Sequence, residues 1–204
     1  MSGIQFKYMH PYSINSEEHK NISLYIAVVS ILLAWGLYWF SKNVVALPWW
    51  IEAPSVIGFY GILNKWIESS LWKQKHIRKI FGIKTPVLEG DWSGSINSNS
   101  VHSKGPVPIK KFCIKQTWSH IKIYLETETS ESSSFEASMN VDEFGTARIH
   151  YQYINQPKDN APETMHIHKG SASAKLDDEG FLQTEYYSGR DRNNTGSFEI
   201  KRLH

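Results

Sequence analysis

Apolar residues follow different patterns in the two parts of this 204-residue chain. From Ile22 to Phe40 the sequence ISLYIAVVSILLAWGLYWF contains no charged residue. Its length is close to the roughly 20 residues that cross a hydrocarbon core, so it predicts a transmembrane helix over 22–40. A cleaved signal peptide is the alternative, but this run is longer than a signal-peptide apolar region and lacks a convincing small-residue cleavage site.

A second apolar run, VVALPWWIEAPSVIGFYGIL, follows almost at once and predicts a second span over 49–67. Trp49 and Trp50 mark its start, because tryptophan rings favour the membrane interface. Glu52 lies next to them. An ionisable side chain inside a span is a functional candidate, whereas one beside interfacial tryptophans is solvated, and the second interpretation is favoured here. The two spans predict a helical hairpin.

Basic residues lie mainly on one side of this hairpin. Lys42 is in the connection between the spans, whereas basic residues cluster at and beyond the far end of the second span: Lys65, Lys73, Lys75, Arg78, Lys79 and Lys84. The positive-inside rule then places both termini in the cytoplasm. The segment KQKHIRKIFGIKTP predicts a short basic amphipathic helix along the anionic leaflet, ending before Pro86.

From Leu88 onward, short stretches of alternating apolar and polar residues are separated by turn-forming residues, which predicts antiparallel strands. The predicted strands are 88–97, 108–117, 119–129, 133–142, 146–154, 164–176, 180–187 and 196–203. The expected fold is therefore a membrane-anchored all-β protein. Residues 1–84 hold the N-terminal tail, the two spans and the basic helix, and residues 85–204 form a small, eight-stranded antiparallel barrel with room for side chains or one small ligand. A seven-stranded sandwich is the alternative.

Charge and cysteine content exclude some classes of protein. The formal net charge is +2, with the basic excess in the N-terminal part and a slight acidic excess after residue 85. The β-rich part has no broad basic field, which argues against DNA or RNA as a partner. The single cysteine, Cys113, excludes an intrachain disulfide and fits a reducing compartment.

The stretch EYYSGRDRNNTGSFEI, 185–200, carries the most distinctive side chains of the β-rich part. Arg190 and Arg192 offer guanidinium groups for phosphate. In the alternative interpretation they are solvated on a surface hairpin and Asp191 pairs with one of them. Aromatic rings could supply stacking or pocket-lining surface for a base: Tyr151, Tyr153, Tyr187 and Trp118. Phosphate and base together indicate a nucleotide ligand.

Catalytic and metal sites find little support in the sequence. His166 and His168 share one face of a predicted strand and His150 is a possible third ligand, but no carboxylate or cysteine completes a metal site at a recognised spacing. The serines lack a nucleophile elbow and a nearby base. We therefore expect a protein that is not an enzyme and has neither metal nor cofactor.

Gly90-Asp91-Trp92 matches the G-x-W motif of lipocalin-like barrels. In those barrels the tryptophan plugs one end and a late arginine covers it, and Arg202 is the matching residue here. A guanidinium stacked on an indole ring gives a cation–π contact. We expect Trp92 and Arg202 to have this structural role.

Two N-terminal spans, a basic junction and a β-rich domain containing GDWSG and EYYSGRDRNNTGSF resemble the two-transmembrane, β-strand-rich effectors of bacterial cyclic-oligonucleotide antiphage signalling (CBASS). The resemblance implies a minimal barrel that binds a cyclic dinucleotide made by a partner nucleotidyltransferase. It also implies a location in the inner membrane, contact with its lipid, homo-oligomerisation on activation, membrane disruption and death of the infected cell.

Two other functions remain open on the residues alone. The first is a membrane-tethered lipocalin-like carrier or adaptor, which would need an apolar interior where a charged ligand needs inward arginines. The second is a nucleotide-hydrolysing enzyme, for which the sequence shows no nucleophile.

Overall fold

The computed structural model describes residues 8–15, 18–44, 56–99, 105–143, 146–189 and 194–203. The chain forms two compact units, one of Met1–Asn15 with Thr85–His204 and one of Ser16–Lys84. The sequence pattern placed all of residues 1–84 in the membrane part. In the structure, the described residues 8–15 lie in the same compact unit as the C-terminal part.

The unit Ser16–Lys84 is helical. Its elements are α1 (Glu18–Asn43), α2 (Val56–Ser69), a 3-10 turn (Leu71–Lys73) and α3 (Lys75–Phe81). Within α1, Lys20–Asn43 is 24 residues long and is the one helix of the described residues that is long and apolar enough to cross a membrane. Large apolar side chains such as Leu24, Trp35 and Trp39 are exposed along it. A surface of this kind suits lipid better than water.

The predicted second span overlaps α2, but its first part lies outside the described residues, together with Trp49, Trp50 and Glu52. The described helix has 14 residues, fewer than the roughly 20 that cross a bilayer core. The predicted basic segment contains the helix α3, and its position along the leaflet stays a prediction. The helix ends at Gly82, whose φ of +62° is the left-handed conformation common after helix C-termini.

The described part of the other unit folds into one large sheet. Its strands are β1 (His10–Ile14), β2 (Gly90–Ser98), β3 (Val107–Pro108), β4 (Lys111–Gln116), β5 (His120–Glu126), β6 (Ser130–Val141), β7 (Ala147–Pro157), β8 (His168–Leu176), β9 (Phe181–Ser188) and β10 (Thr195–Arg202). All eight predicted strands are confirmed, with shifted ends. β10 pairs antiparallel with β2 as well as with β9, so the hydrogen-bonded order returns to the first strand of the C-terminal part.

The two faces of this sheet differ as the alternation predicts. In β7 the buried residues Ile149, Tyr151 and Tyr153 alternate with exposed His150 and Gln152. The buried set continues on the other strands into one hydrophobic core, and we call the face that carries it the inner face. Because successive side chains of a strand point to opposite faces of the sheet, every second residue reaches the interior.

β1 was not predicted. It pairs antiparallel with β5 at His10↔Ile121 and parallel with β6 at Tyr12↔Ala137, filling the place where β5 and β6 separate. Five residues that include Pro11 are too short to show a strand period. The helix α1 begins soon after this strand, at Glu18, so the chain runs from the sheet directly into the apolar helix.

A buried amide links both segments that lead to the helical unit. Gln116 is fully buried. Its Nε2 donates to the hydroxyl of Tyr12 and to the carbonyl of Pro86, both at 3.2 Å, and its Oε1 accepts from the N–H of Leu88 at 2.7 Å. Tyr12 precedes α1, whereas Pro86 and Leu88 follow α3. A fragment that begins at residue 85 therefore lacks one partner of this amide.

The predicted pair at the start of β2 is confirmed. The guanidinium carbon of Arg202 lies 5.0 Å from the centroid of the Trp92 ring. Arg202 Nη2 donates to the carbonyl of Val87, and Trp92 Nε1 donates to the carbonyl of Leu88 at 3.1 Å. Gly90 has a φ of +145° and lies under the arginine side chain, which explains the glycine of the motif.

Candidate functional site

The inner face encloses a cavity of about 320 Å³ at the end of the sheet where the turn after Glu126 leads into β6. We call it the inner cavity, and the end at which it opens the mouth. Ser98, Ser188 and Asn194 line the cavity together with Pro162 and Met165 of the loop after β7. The volume is at the lower end of the roughly 300–1,000 Å³ of small-molecule sites, so it suits a small ligand or one part of a larger ligand.

Aromatic rings form one wall of the inner cavity, contributed by Tyr151, Tyr153, Tyr186 and Phe198. The ring centroids of Tyr151 and Tyr153 are 6.3 Å apart, and those of Tyr186 and Phe198 are 6.2 Å apart. Gly170 makes room for this wall, because a Cβ there would lie 2.4 Å from the Tyr153 ring. Rings so arranged offer flat surfaces for another ring.

Two tyrosines of this wall, Tyr151 and Tyr153, have a raised pKa. Burial raises the pKa of Tyr151, and the neighbouring Tyr153 raises it further. Burial also raises the pKa of Tyr153, with a smaller contribution from Tyr186. Both phenols therefore keep their protons at physiological pH and present no negative charge to a ligand.

A polar cluster lies beside the aromatic wall. Asn155 Nδ2 donates to Ser130 Oγ at 3.1 Å and to Ser132 Oγ at 2.9 Å. Ser130 Oγ also lies 3.1 Å from Thr127 Oγ1. Asn155 is only 9% exposed, and its Oδ1 is buried without a hydrogen-bond donor in the described part of the chain. A buried carbonyl oxygen without a donor is costly, so this position favours a ligand group that donates.

The charges near the mouth are paired. Lys158 donates to the Glu126 carboxylate and to the carbonyl of Thr127, which holds the start of the loop after β7. This hydrogen bond is the main reason that the pKa of Glu126 is lowered. Glu128, which lines the cavity, forms an ion pair with Lys110. Lysine and arginine are absent from the cavity lining across the described ranges.

A larger concavity of about 960 Å³ lies against the outer face, with short hydroxyl side chains such as Ser171 and Ser173. Glu136 and Glu185 add carboxylates. Tyr187 lines it and is 55% exposed. The inner cavity is the stronger candidate site, because it combines enclosure, apolar surface and a few converging polar groups.

The structure brings together only some of the predicted site residues. Tyr151 and Tyr153 line the inner cavity, as their shared face suggested. Tyr187 points outward, and its neighbour Tyr186 lines the cavity instead. Trp118 is buried in the turn between β4 and β5, at the opposite end of β5 from the cavity. Neighbouring residues of a strand point to opposite faces, so a shift of one residue exchanges the inward and the outward tyrosine of this pair.

Arg190 and Arg192 lie outside the described residues. The described residues on either side, Ser188 and Asn194, both line the inner cavity. The two arginines therefore remain a prediction, on a segment whose ends are at the mouth.

The residues that the sequence interpretation missed are Asn155, Tyr186 and the serines of early β6. Asn155 was assigned to a turn, because the predicted strand ended at residue 154, whereas β7 runs to Pro157. Counting the buried alternation onward from Tyr151 and Tyr153 would have placed Asn155 on the inner face.

The histidines considered as metal ligands lie at different levels of the sheet. His150 is opposite Ser173, whereas His168 is opposite Asn155. Five residues of β7 separate these two positions, which corresponds to about 17 Å along a strand.

Comparison with known proteins adds to this geometry. Residues 83–202 match the family model described as Cap15, cyclic dinucleotide receptor domain. The chain is also 30% identical over 147 residues to CD-NTase-associated protein 15 of Yersinia aleksiciae, in an alignment that covers 72% of this chain and 68% of that protein. The family match includes β2 to β10, and therefore the whole described lining of the inner cavity.

Proposed function

Because the chain belongs to the Cap15 cyclic dinucleotide receptor family, we propose that it is a CBASS antiphage effector activated by a cyclic dinucleotide. A partner nucleotidyltransferase supplies this second messenger after infection. The family match over 83–202 is the observation that carries the proposal. The aromatic wall and the unpaired Asn155 oxygen support it, since a cyclic dinucleotide contributes flat rings and N–H donors.

The C-terminal part, residues 85–204, is called the receptor part and is proposed to be an eight-stranded lipocalin-like barrel. The pairing of β10 with β2, which closes the strand order, supports this description. The stacking of Arg202 on Trp92 supports it as well, because it seals one end and leaves the other end for the ligand. An eight-stranded barrel has an interior wide enough for side chains and one small ligand, in agreement with a cavity of about 320 Å³.

The helical part is proposed to anchor the protein in the inner membrane through two spans. The apolar helix α1 supports the first span, and the apolar run that ends in α2 supports the second. The excess of lysine and arginine outside the connection places both termini in the cytoplasm. Ligand binding then drives homo-oligomerisation through these helices, and the assembled helices disrupt the membrane and kill the infected cell. The protein acts by this route without catalysis, metal or cofactor.

A carrier of a small apolar molecule is the second candidate function. The observation that favours it is the mainly apolar cavity lining, in which the described residues include no lysine or arginine. The polar cluster around Asn155 argues for the nucleotide, because an apolar ligand would leave the buried oxygen without a donor.

Membrane disruption can be tested with the full chain in lipid vesicles that hold a fluorescent dye. We expect dye release when a cyclic dinucleotide of the correct bases is added, and no release with the corresponding linear dinucleotide. Release that does not depend on the ligand, or saturable binding without any release, would contradict the proposed mode of killing.

A further inference from the structure

The inner cavity is suited to only one of the two chemical parts of a cyclic dinucleotide. The Tyr151 and Tyr153 phenols of its aromatic wall are uncharged at neutral pH, and burial raises their pKa further. Its carboxylate, Glu128, is paired with Lys110. A phosphate moved into this space would lose its water without gaining a lysine or arginine from the described lining, in which His168 is the one side chain able to become a cation. A flat, uncharged ring would lose much less water and would gain contact with the wall.

Asn155 is a largely buried residue that lines this space. Its Nδ2 is used by Ser130 and Ser132, and its Oδ1 has no donor among the described residues. Turning the amide over would put the unpaired NH₂ in the place of the oxygen, so one polar end lacks a partner in either orientation. The requirement for a ligand partner therefore does not depend on how the amide is assigned.

The serine hydroxyl next to this amide completes a two-point pattern. Ser132 Oγ accepts from Asn155 Nδ2, which leaves its own hydrogen to donate elsewhere. An acceptor beside a donor complements the edge of a nucleobase, where an N–H lies next to a ring nitrogen or a carbonyl oxygen.

On the premise of the proposed function, we propose that the ligand enters base first: one base occupies the inner cavity with its hydrogen-bonding edge against Asn155, and the phosphates stay at the mouth. Ser188 and Asn194 line the cavity at this end. Asn155 then determines which base is accepted.

Dissociation constants of the full chain in detergent for a panel of cyclic dinucleotides that differ only in their bases test this division. We expect the parent to prefer its best ligand over its worst by at least about tenfold, because paired base contacts discriminate on this scale. Asn155→Leu keeps the approximate volume and removes the hydrogen bonds. This variant should reduce the ratio of dissociation constants to about threefold or less, mainly because it binds the best ligand more weakly. Asn97→Leu, at an exposed position on the outer face of β2, is the matched control and should keep the parent ratio.

A second measurement needs no variant and decides the question if Asn155→Leu fails to fold. The preferred ligand is methylated on each N–H nitrogen of its bases in turn and bound to the parent protein. At least one methylated ligand should bind about tenfold or more weakly. Equal binding of all methylated ligands would contradict the inference.

The outcomes separate this inference from the proposed function. If the parent binds no cyclic dinucleotide of the panel, the proposed function itself is wrong. If the parent binds and discriminates, but folded Asn155→Leu keeps the parent ratio, only the base-first arrangement is wrong.

Discussion

Replacing Trp92 with alanine is expected to lower the free energy of unfolding of the sheet by about 3–5 kcal/mol, the usual cost of truncating a large buried aromatic side chain. Trp92 is only 3% exposed and belongs to the core. The substitution removes the ring under Arg202 and the hydrogen bond to the carbonyl of Leu88. Chemical denaturation of the full chain in detergent, followed through the β-sheet circular dichroism signal, measures the effect.

Tyr187→Ala is the matched control for this variant. It also removes an aromatic ring from the sheet, but one that is 55% exposed on the outer face. We expect its free energy of unfolding to change by no more than about 0.5 kcal/mol. Trp92 lies six residues along β2 from Ser98 of the cavity lining, or about 20 Å away. A Trp92→Ala protein of unchanged stability that fails to bind ligand would show that the tryptophan contacts the ligand.

Replacing both Arg190 and Arg192 with alanine is expected to abolish ligand-triggered growth arrest while membrane insertion is kept. A hydrogen bond to a charged group contributes about 1.5–3 kcal/mol, so each arginine should account for about tenfold to a hundredfold in affinity. The fold should survive, because the segment lies between the ends of β9 and β10. Isothermal titration of the full chain and growth curves of cells that produce the ligand measure the two effects.

Two further variants show whether the guanidinium groups bind phosphate. Lysine at both positions keeps the charge but loses the planar fork, and should rescue binding only in part. Arg148→Ala removes an exposed arginine from the outer face of β7 and should bind like the parent. If the double alanine variant keeps the parent affinity, the arginines belong to a surface hairpin and the phosphate ligands lie elsewhere.

Local patterns in the sequence were sufficient to predict the eight strands, the contact between Trp92 and Arg202, and the family. One face of the sheet is buried, so apolar and polar residues alternate along each strand. This alternation is visible in the sequence, and the eight strands predicted from it were confirmed. The Trp92–Arg202 contact was predictable because the tryptophan and the arginine carry a specific pairing chemistry. The resemblance to the CBASS effectors, based on GDWSG and EYYSGRDRNNTGSF, is confirmed by the family match.

Features that depend on distant pairing could not be predicted in this way. β1 is a strand because β5 and β6 leave a place for it, and because Gln116 binds Tyr12 from a position 104 residues away. Nothing in the sequence HPYSI reports these partners. The predicted range 85–204 therefore does not contain β1, which lies at His10–Ile14.

The site depended on exact strand register, which local patterns determine poorly. Tyr186 and Tyr187 have the same chemistry, and only the register of β9 sends the first inward and the second outward. Asn155 resembles a turn residue by type, but its strand continues past it to Pro157. Trp118 was grouped with the other aromatics by type alone, although it lies at the other end of β5.

The central claim is that the receptor part of this protein binds a cyclic dinucleotide. A direct binding measurement on the full chain in detergent tests it. Radiolabelled cyclic dinucleotides are titrated against the protein, with linear dinucleotides and a fatty acid as competitors. We expect saturable binding of at least one cyclic dinucleotide, displaced by the unlabelled compound and by neither competitor. Saturable binding of the fatty acid, with no binding of any cyclic dinucleotide, would contradict the account and favour the apolar carrier.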